Sequence, residues 1–159
     1  MSGHLIRRLN KKKIPVGLLR FLGNMWFPFL GSGIDIVKAS DDFRSITVRL
    51  KKRWYNTNYV GTQFGGSIYS MTDPFYMLML VNNLGSDYIV WDKAASIRFK
   101  KPGRTDLYTK FKITQNEIDS IKSDLRDVEK IDWIKDVEVM DSEGNVVAVV
   151  NKTLYIKKK

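Results

Sequence analysis

The stretch from Asn58 to Leu84, NYVGTQFGGSIYSMTDPFYMLMLVNNL, limits the architectures open to this chain more than any other. It opens with glycines and small polar residues, then runs into the longest apolar segment of the sequence. A single carboxylate stands in it: Asp73 is the only acid between Asp42 and Asp87. Met71, Phe75, Met77, Leu78, Met79, Leu80 and Val81 cover more than one helical stripe, so a helix here must be enclosed rather than laid on a surface. The other elements have to supply the enclosure.

With 159 residues, one domain can bury enough apolar surface to fold without staples. The chain reads as a basic tail over residues 1–13 and a single domain over 14–159. The absence of cysteine excludes a disulfide framework, thiolate catalysis and Cys-ligated zinc together. His4 is the only histidine and lies in the tail, so a Ser-His-Asp triad or a His-rich metal site lacks raw material, and no metal is expected. Catalysis, if present, must rest on carboxylates. The net charge of +10 points to an anionic partner, such as a phosphorylated ligand, nucleic acid or a membrane surface.

The basic residues Arg7, Arg8 and Lys11 to Lys13 precede apolar ones, as in a signal peptide, but Pro15, Gly17, Arg20, Gly23, Asn24 and Pro28 break the apolar run. The central stretch leaves only Phe75 to Val81 uninterrupted, too short to span a bilayer. No transmembrane segment and a cytoplasmic location are the expectations.

In chain order, Val16 to Leu30 carries apolar residues at helical spacing, and its aromatics Trp26, Phe27 and Phe29 suit core or lid packing. Ile34–Ala39 and Phe43–Leu50 read as a hairpin. After the central stretch, Ile89, Trp91, Ala95, Ile97 and Phe99 fall on one face of a long strand, and Leu107, Thr109, Phe111 and Ile113 on one face of the next. Thr114 with Glu117 fits a capping box, followed by Ile118, Ile121, Leu125 and Val128 at spacings of three and four. Two last strands, around Trp133–Met140 and Val146–Ile156, flank a turn at Asp141–Asn145. About six strands and an enclosed helix make an α+β domain.

Gly61, Gly65 and Gly66 precede the central helix, where backbone N–H groups and the helix dipole favour an oxyanion. Two roles fit Asp73. Asp-Pro is a natural N-cap that restarts a broken helix; an acid in an apolar wall is also suited to act as general base or nucleophile. Gly65 and Asp73 are eight residues apart, about 12 Å along one helix. If they serve one carbonyl, they must come from different subunits, as in a two-fold dimer with antiparallel helices. The Asn58 amide suits orientation of water or a carbonyl, and equally an ordinary loop. Thr62 and Gln63 are further candidates, while Arg98, Lys100, Lys101 and Arg104 suit either phosphates at a pocket mouth or a solvated strand end.

The order Asn58, Phe64-Gly65-Gly66, Asp73 resembles the pattern of hotdog-fold acyl-CoA thioesterases of the phenylacetyl-CoA thioesterase type, in which Asn precedes His-Gly-Gly and an Asp follows on the central helix. The text WFPFLGSGI, RWYNTNYVGTQFGGSIYSMTDPFYMLML and IVWDKAASIRFKKPG is similar to a bacterial subgroup of that superfamily whose function is unassigned. The resemblance implies a hotdog fold, an antiparallel sheet wrapped around a long central helix with a helix before it, assembled into homodimers or dimers of dimers with active sites at the interface. It implies Asp73 as base or nucleophile, Gly66 with Gly65 at the oxyanion, and Asn58 at water or carbonyl. Coenzyme A enters as part of an acyl-CoA substrate, with no separate cofactor. Phe64 stands where the better-known thioesterases have His and is assigned to substrate binding. The implied function is thioester hydrolysis. A non-catalytic acyl-CoA or fatty-acyl carrier is the alternative, and a hydratase would want a better-placed histidine than His4. A nucleic-acid partner is not expected, because no strand interleaves aromatic and basic residues as such a surface requires.

Overall fold

Alternation of apolar and polar residues builds the sheet. A computed structural model describes residues 15–159, so the basic tail over 1–13 lies outside the described residues. Strands β1 (Ile34–Ala39), β2 (Ser45–Leu50), β3 (Tyr88–Phe99), β4 (Leu107–Lys112), β5 (Lys130–Asp141) and β6 (Val146–Lys158) form one antiparallel sheet in the order β1-β2-β4-β5-β6-β3. Ile46, Val48 and Leu50 of β2 and Leu107, Thr109 and Phe111 of β4 are buried, as expected from their spacing.

The central stretch folds as two helices, α3 (Gly65–Ser70) and α4 (Phe75–Leu84), separated by Met71–Pro74. The long central helix implied by the family resemblance is thus two shorter helices, with the break at Asp73-Pro74 that the Asp-Pro pair allowed for, where proline removes an N–H donor. Phe75, Tyr76, Met79 and Leu80 of α4 are buried in the same cluster as the inward residues of the sheet. The Phe75 and Phe111 rings lie 5.0 Å apart, and Tyr76 meets Phe111 and Trp133 edge-on. Helix α5 (Gln115–Asp127) starts at the expected capping box, with Thr114 N–H donating to Glu117 at 2.8 Å, and buries Ile118, Ile121 and Leu125. Val128 falls beyond its end and is exposed.

Two expectations are corrected. The single face assigned to Ile89, Trp91, Ala95, Ile97 and Phe99 does not exist, because the β3–β6 register shifts between Asp92 and Ala94. The extra residue reverses the parity of side chains along the strand. Val90 and Asp92 therefore point inward with Ala95 and Ile97, while Trp91 is 64% exposed. Before the sheet, α1 (Val16–Met25) and α2 (Phe27–Ser32) bury Phe29 against Phe75, with rings 5.7 Å apart. Phe27, expected in core or lid packing, is exposed, whereas Trp26, though partly exposed, meets the Phe29 ring edge-on at 5.0 Å. Among the described residues, no helix is long and apolar enough to cross a membrane.

A buried amide joins the elements that lead to the central stretch. Asn56 sits in a 3₁₀ turn (Trp54–Asn56), donates to the carbonyls of Ser32 (2.8 Å) and Lys51 (2.7 Å), and accepts from Arg53 N–H (2.8 Å). Its own carbonyl accepts from Phe64 N–H at 2.8 Å, which sets the start of α3. Gly33 makes room for it: φ is +80° there, and a Cβ would lie 2.5 Å from Asn56 Nδ2. Replacing Asn56 with Ala leaves two buried carbonyls unpaired, and urea unfolding is expected to show a loss of about 2–4 kcal/mol.

The β1–β2 turn makes the fold sensitive to acid. Ser40, then Arg44, donates to Asp42 and holds its carboxyl at about 2, from an ordinary 3.8. A lowered carboxyl pKa gives stability that is present above 3.8 and lost as pH falls through about 2. The Asp42→Asn variant is expected to lose less stability than wild type across that window, measured by thermal unfolding at stepped pH.

Candidate functional site

Where α3 begins, the chain has just closed a tight loop. Asn58 N–H donates to Thr62 C=O (2.8 Å), Gly61 N–H donates to Asn58 C=O (2.9 Å), and Asn58 Oδ1 accepts from Thr62 N–H (3.0 Å). Asn58 Nδ2 donates to Thr62 Oγ1 (2.9 Å). The Asn58 side chain thus closes its own turn, and only one Nδ2 hydrogen lacks a protein acceptor. Gln63 is buried and ties two segments together, with Nε2 3.2 Å from both Leu50 and Thr105 carbonyls, while its Oε1 has no partner among the described residues.

Phe64 accepts the first helical bonds, from Ser67 N–H (3.0 Å) and Ile68 N–H (3.1 Å). The N–H groups of Gly65 and Gly66 therefore precede the helical ladder and have no acceptor among the described residues. Two aromatic rings crowd them. A Cβ on Gly66 would stand 2.3 Å from Phe64 Cε1, and one on Gly65 3.0 Å from Phe99 Cζ. A cleft of about 540 Å³ opens here, and Asn58, Thr62, Gln63, Gly65, Lys100, Lys101 and Arg104 all line it, with Ile68 and Phe99 as its apolar wall. Arg98 stands on exposed β3 and is not among the lining residues.

Asp73 opens to a different cleft, of about 300 Å³, bounded by Trp26, Phe29, Tyr69 and Pro74. No side-chain cap is present on α4, so Asp73 does not act as its N-cap. Aromatic residues do bound the cleft, but they do not enclose the acid as expected: Asp73 is 52% exposed and accepts from Lys152 Nζ at 3.2 Å. Lys152 was not apparent as a site residue. It sits on β6 among inward-facing Val150, Leu154 and Ile156 and is fully buried. The same ammonium lies 2.8 Å from Asp92 Oδ1 and 5.8 Å from the Tyr69 ring centroid.

The three groups form a shared-cation cluster. Burial pushes the Lys152 ammonium down, but Asp92 and Asp73 more than offset it, so the group ends above its ordinary value. Burial raises the Asp92 carboxyl, with a further push from the charge of Asp73, and Lys152 only partly opposes this. One cation faces two carboxylates, and the net effect on Asp92 is upward, toward its neutral form. Inward parity on β6 was the signal available for Lys152; Asp92 was hidden by the bulge.

Gly65 and Asp73 therefore face separate clefts with no lining residue in common. Among the described residues, no group of three His, Cys, Asp or Glu side chains is placed to hold a metal ion. Truncation of Lys152 to Met strands Asp92 in a buried site and is expected to cost about 3–5 kcal/mol. The double variant Lys152→Met, Asp92→Leu should recover most of that loss in a urea-unfolding cycle.

A family model described as a domain of unknown function (DUF4442) matches residues 17–156. No curated protein matches the sequence. Among solved structures, a Pseudomonas aeruginosa protein of unknown function, described as a probable thioesterase, superposes with TM-score 0.71 at 16% identity, over 100% of this chain and 97% of that one. A Haemophilus influenzae thioesterase superposes with TM-score 0.66 at 14% identity, covering 93% and 94% of the two chains. The E. coli PaaI protein of the phenylacetic acid degradation operon superposes with TM-score 0.58 at 14% identity, covering 87% and 88%. The chain belongs to the DUF4442 family and shares the hotdog fold of the PaaI-like thioesterases.

Proposed function

We propose that this protein hydrolyses an acyl thioester, most simply an acyl-CoA, at sites completed by two copies of the chain. The observation that supports the proposal is the separation of the two halves of the chemistry: Gly65, at the start of α3, lines one cleft, with Gly66 next to it under the Phe64 ring, and a half-exposed carboxylate at Asp73 opens to another. Strand β3 is an unpaired edge of 12 residues, suited to meet a second β3 across a two-fold axis. A dimer, or a dimer of dimers, would bring one copy's Asp73 to the other's glycines.

In that site Asp73 takes a proton from water as the water oxygen bonds to the thioester carbonyl carbon. The resulting oxyanion is held by the Gly66 and Gly65 N–H groups. Collapse breaks the C–S bond, and the thiolate leaves with the proton returned by Asp73. Asn58, with its remaining Nδ2 hydrogen, lines the same cleft as Gly65 and suits orientation of water or carbonyl. Lys100, Lys101 and Arg104 line the same cleft and suit the phosphates of coenzyme A.

Phe64 favours a second reading. Its ring rests on Gly66, where the better-known thioesterases carry an imidazole, and a pocket closed in that way suits an acyl carrier without chemistry. Released thiol separates the two. With acyl-CoAs of several chain lengths, wild type is expected to turn over about a hundred-fold or more faster than Asp73→Asn. Tight binding in calorimetry without thiol release would instead establish the carrier.

The composite site has its own test. Gly65→Pro removes one N–H at the first helical position, where proline is tolerated, and Phe64 (ψ 127°) already has the conformation that precedes proline. Each variant alone should be impaired, whereas dimers reassembled from a mixture of Asp73→Asn and Gly65→Pro should recover up to about a quarter of wild-type activity, since half the dimers keep one intact site. No recovery would place both groups in one chain's site. Lys101→Ala with Arg104→Ala is expected to raise KM for acyl-CoA with little change in kcat.

A further inference from the structure

Helix α1 meets β1 through a mixed side, on which Val16, Leu19, Gly23 and Asn24 are half-buried. Asn24 Oδ1 accepts from Ile36 N–H at 2.7 Å, Asn24 Nδ2 and Arg20 Nε both reach the Ile36 carbonyl at 3.4 Å, and Gly23 lies against the Ile36 side chain. The opposite side carries Leu18, Phe21, Leu22 and Met25 at the spacing of one helical stripe, and all four are exposed. Such a stripe normally faces a core. Here it faces away from β1, and no residue of α1 is buried.

The stripe is part of a larger surface. Phe27 on α2 is 85% exposed, and Trp54 on the 3₁₀ turn is 88% exposed. Tyr55 joins the two segments, with its hydroxyl 3.5 Å from the Leu30 carbonyl and its ring 5.6 Å from that of Trp54. Aromatic and aliphatic side chains exposed together on two successive helices and on the 3₁₀ turn that Tyr55 links to them mark a surface that is covered in use.

Charge identifies what covers it. Residues 1–34, which contain α1 and α2, hold six cations (Arg7, Arg8, Lys11, Lys12, Lys13, Arg20) and no acid. Lys52 and Arg53 directly precede Trp54, whereas Arg44, Arg49 and Lys51 are paired with Asp42 and Asp35. An exposed apolar stripe that directly follows a basic segment in the sequence complements an anionic bilayer, where aromatic and aliphatic groups enter the headgroup boundary and cations meet lipid phosphates and carboxylates. A second copy fits less well, since it would bring two basic segments of the same sign together. The surface also adjoins β1, at the opposite edge of the sheet from β3.

We infer that α1, α2 and the 3₁₀ turn form a docking surface for an anionic lipid bilayer, holding the protein at the membrane peripherally. This is independent of the thioesterase reading, because none of Phe21, Phe27 or Trp54 lines either cleft.

Sedimentation of the full chain with vesicles tests it. Wild type is expected to pellet with vesicles of equal parts phosphatidylcholine and phosphatidylserine, not with phosphatidylcholine alone, and to be released progressively by salt. Phe21→Ser, Phe27→Ser and Trp54→Ser alter exposed side chains, so thermal midpoints should hold. Each should weaken vesicle binding about ten-fold or more, as expected when a ring that enters the apolar boundary is lost. Failure of wild type to bind the anionic vesicles overturns the inference, as does equal binding by the three variants. A third overturning result is loss of oligomer in sedimentation velocity with vesicle binding unchanged, which assigns the surface to a second copy.

Discussion

An ammonium group without access to water needs counter-charge within reach, and Lys152 obtains it from two directions. Its position on β6 follows from strand parity: residues 150, 152, 154 and 156 all point inward. Asp92 answers it from the neighbouring strand only because β3 carries an extra residue just beyond, and Asp73 answers it from the break between α3 and α4. The bulge, the helix break and the inward lysine are therefore one arrangement. A regular β3 would turn Asp92 out to solvent and leave Trp91 inside, and the cation would keep only the half-exposed carboxylate of Asp73.

That arrangement changes what kind of acid Asp73 is. A carboxylate in a dry apolar wall would be tuned by desolvation, whereas this one is anchored by a buried cation and open to a cleft. Its position is set by the most deeply buried charge in the described structure, so its placement inherits the rigidity of the sheet although it stands in a turn. Placement of a reacting group to within a fraction of an ångström is what such support accomplishes. Asn56 does the corresponding work at the other cleft, since the bond it accepts from Phe64 N–H fixes where α3 begins.

Most of the fold was legible in local pattern. The alternation in β2 and β4, the capping box of α5 and the turn before β6 each specify structure through neighbours in sequence, and each was found in the molecule. What escaped local pattern depends on partners distant along the chain. A single inserted residue in β3 is invisible until its register with β6 is known. The burial of Asn56 depends on Ser32, Lys51 and Phe64 together. Apolar spacing in α1 was legible, but spacing gives a stripe and not the direction it faces; that was decided by Asn24 and Arg20 reaching the backbone of β1. The candidate site was half visible: glycines and Asp73 through their spacing, Lys152 and Asp92 only through the sheet.

The bulge in β3 also bears on how an exposed sheet edge is kept safe. Twelve residues of unpaired backbone, with Trp91 outside, would ordinarily be a template for strand after strand of unrelated chain. With the extra residue at its middle, the edge consists of two short ladders whose side chains are out of phase. An incoming regular strand can match one half or the other, not both. Indefinite stacking is thereby discouraged, and the partner that fits the whole length must carry a compensating irregularity of its own.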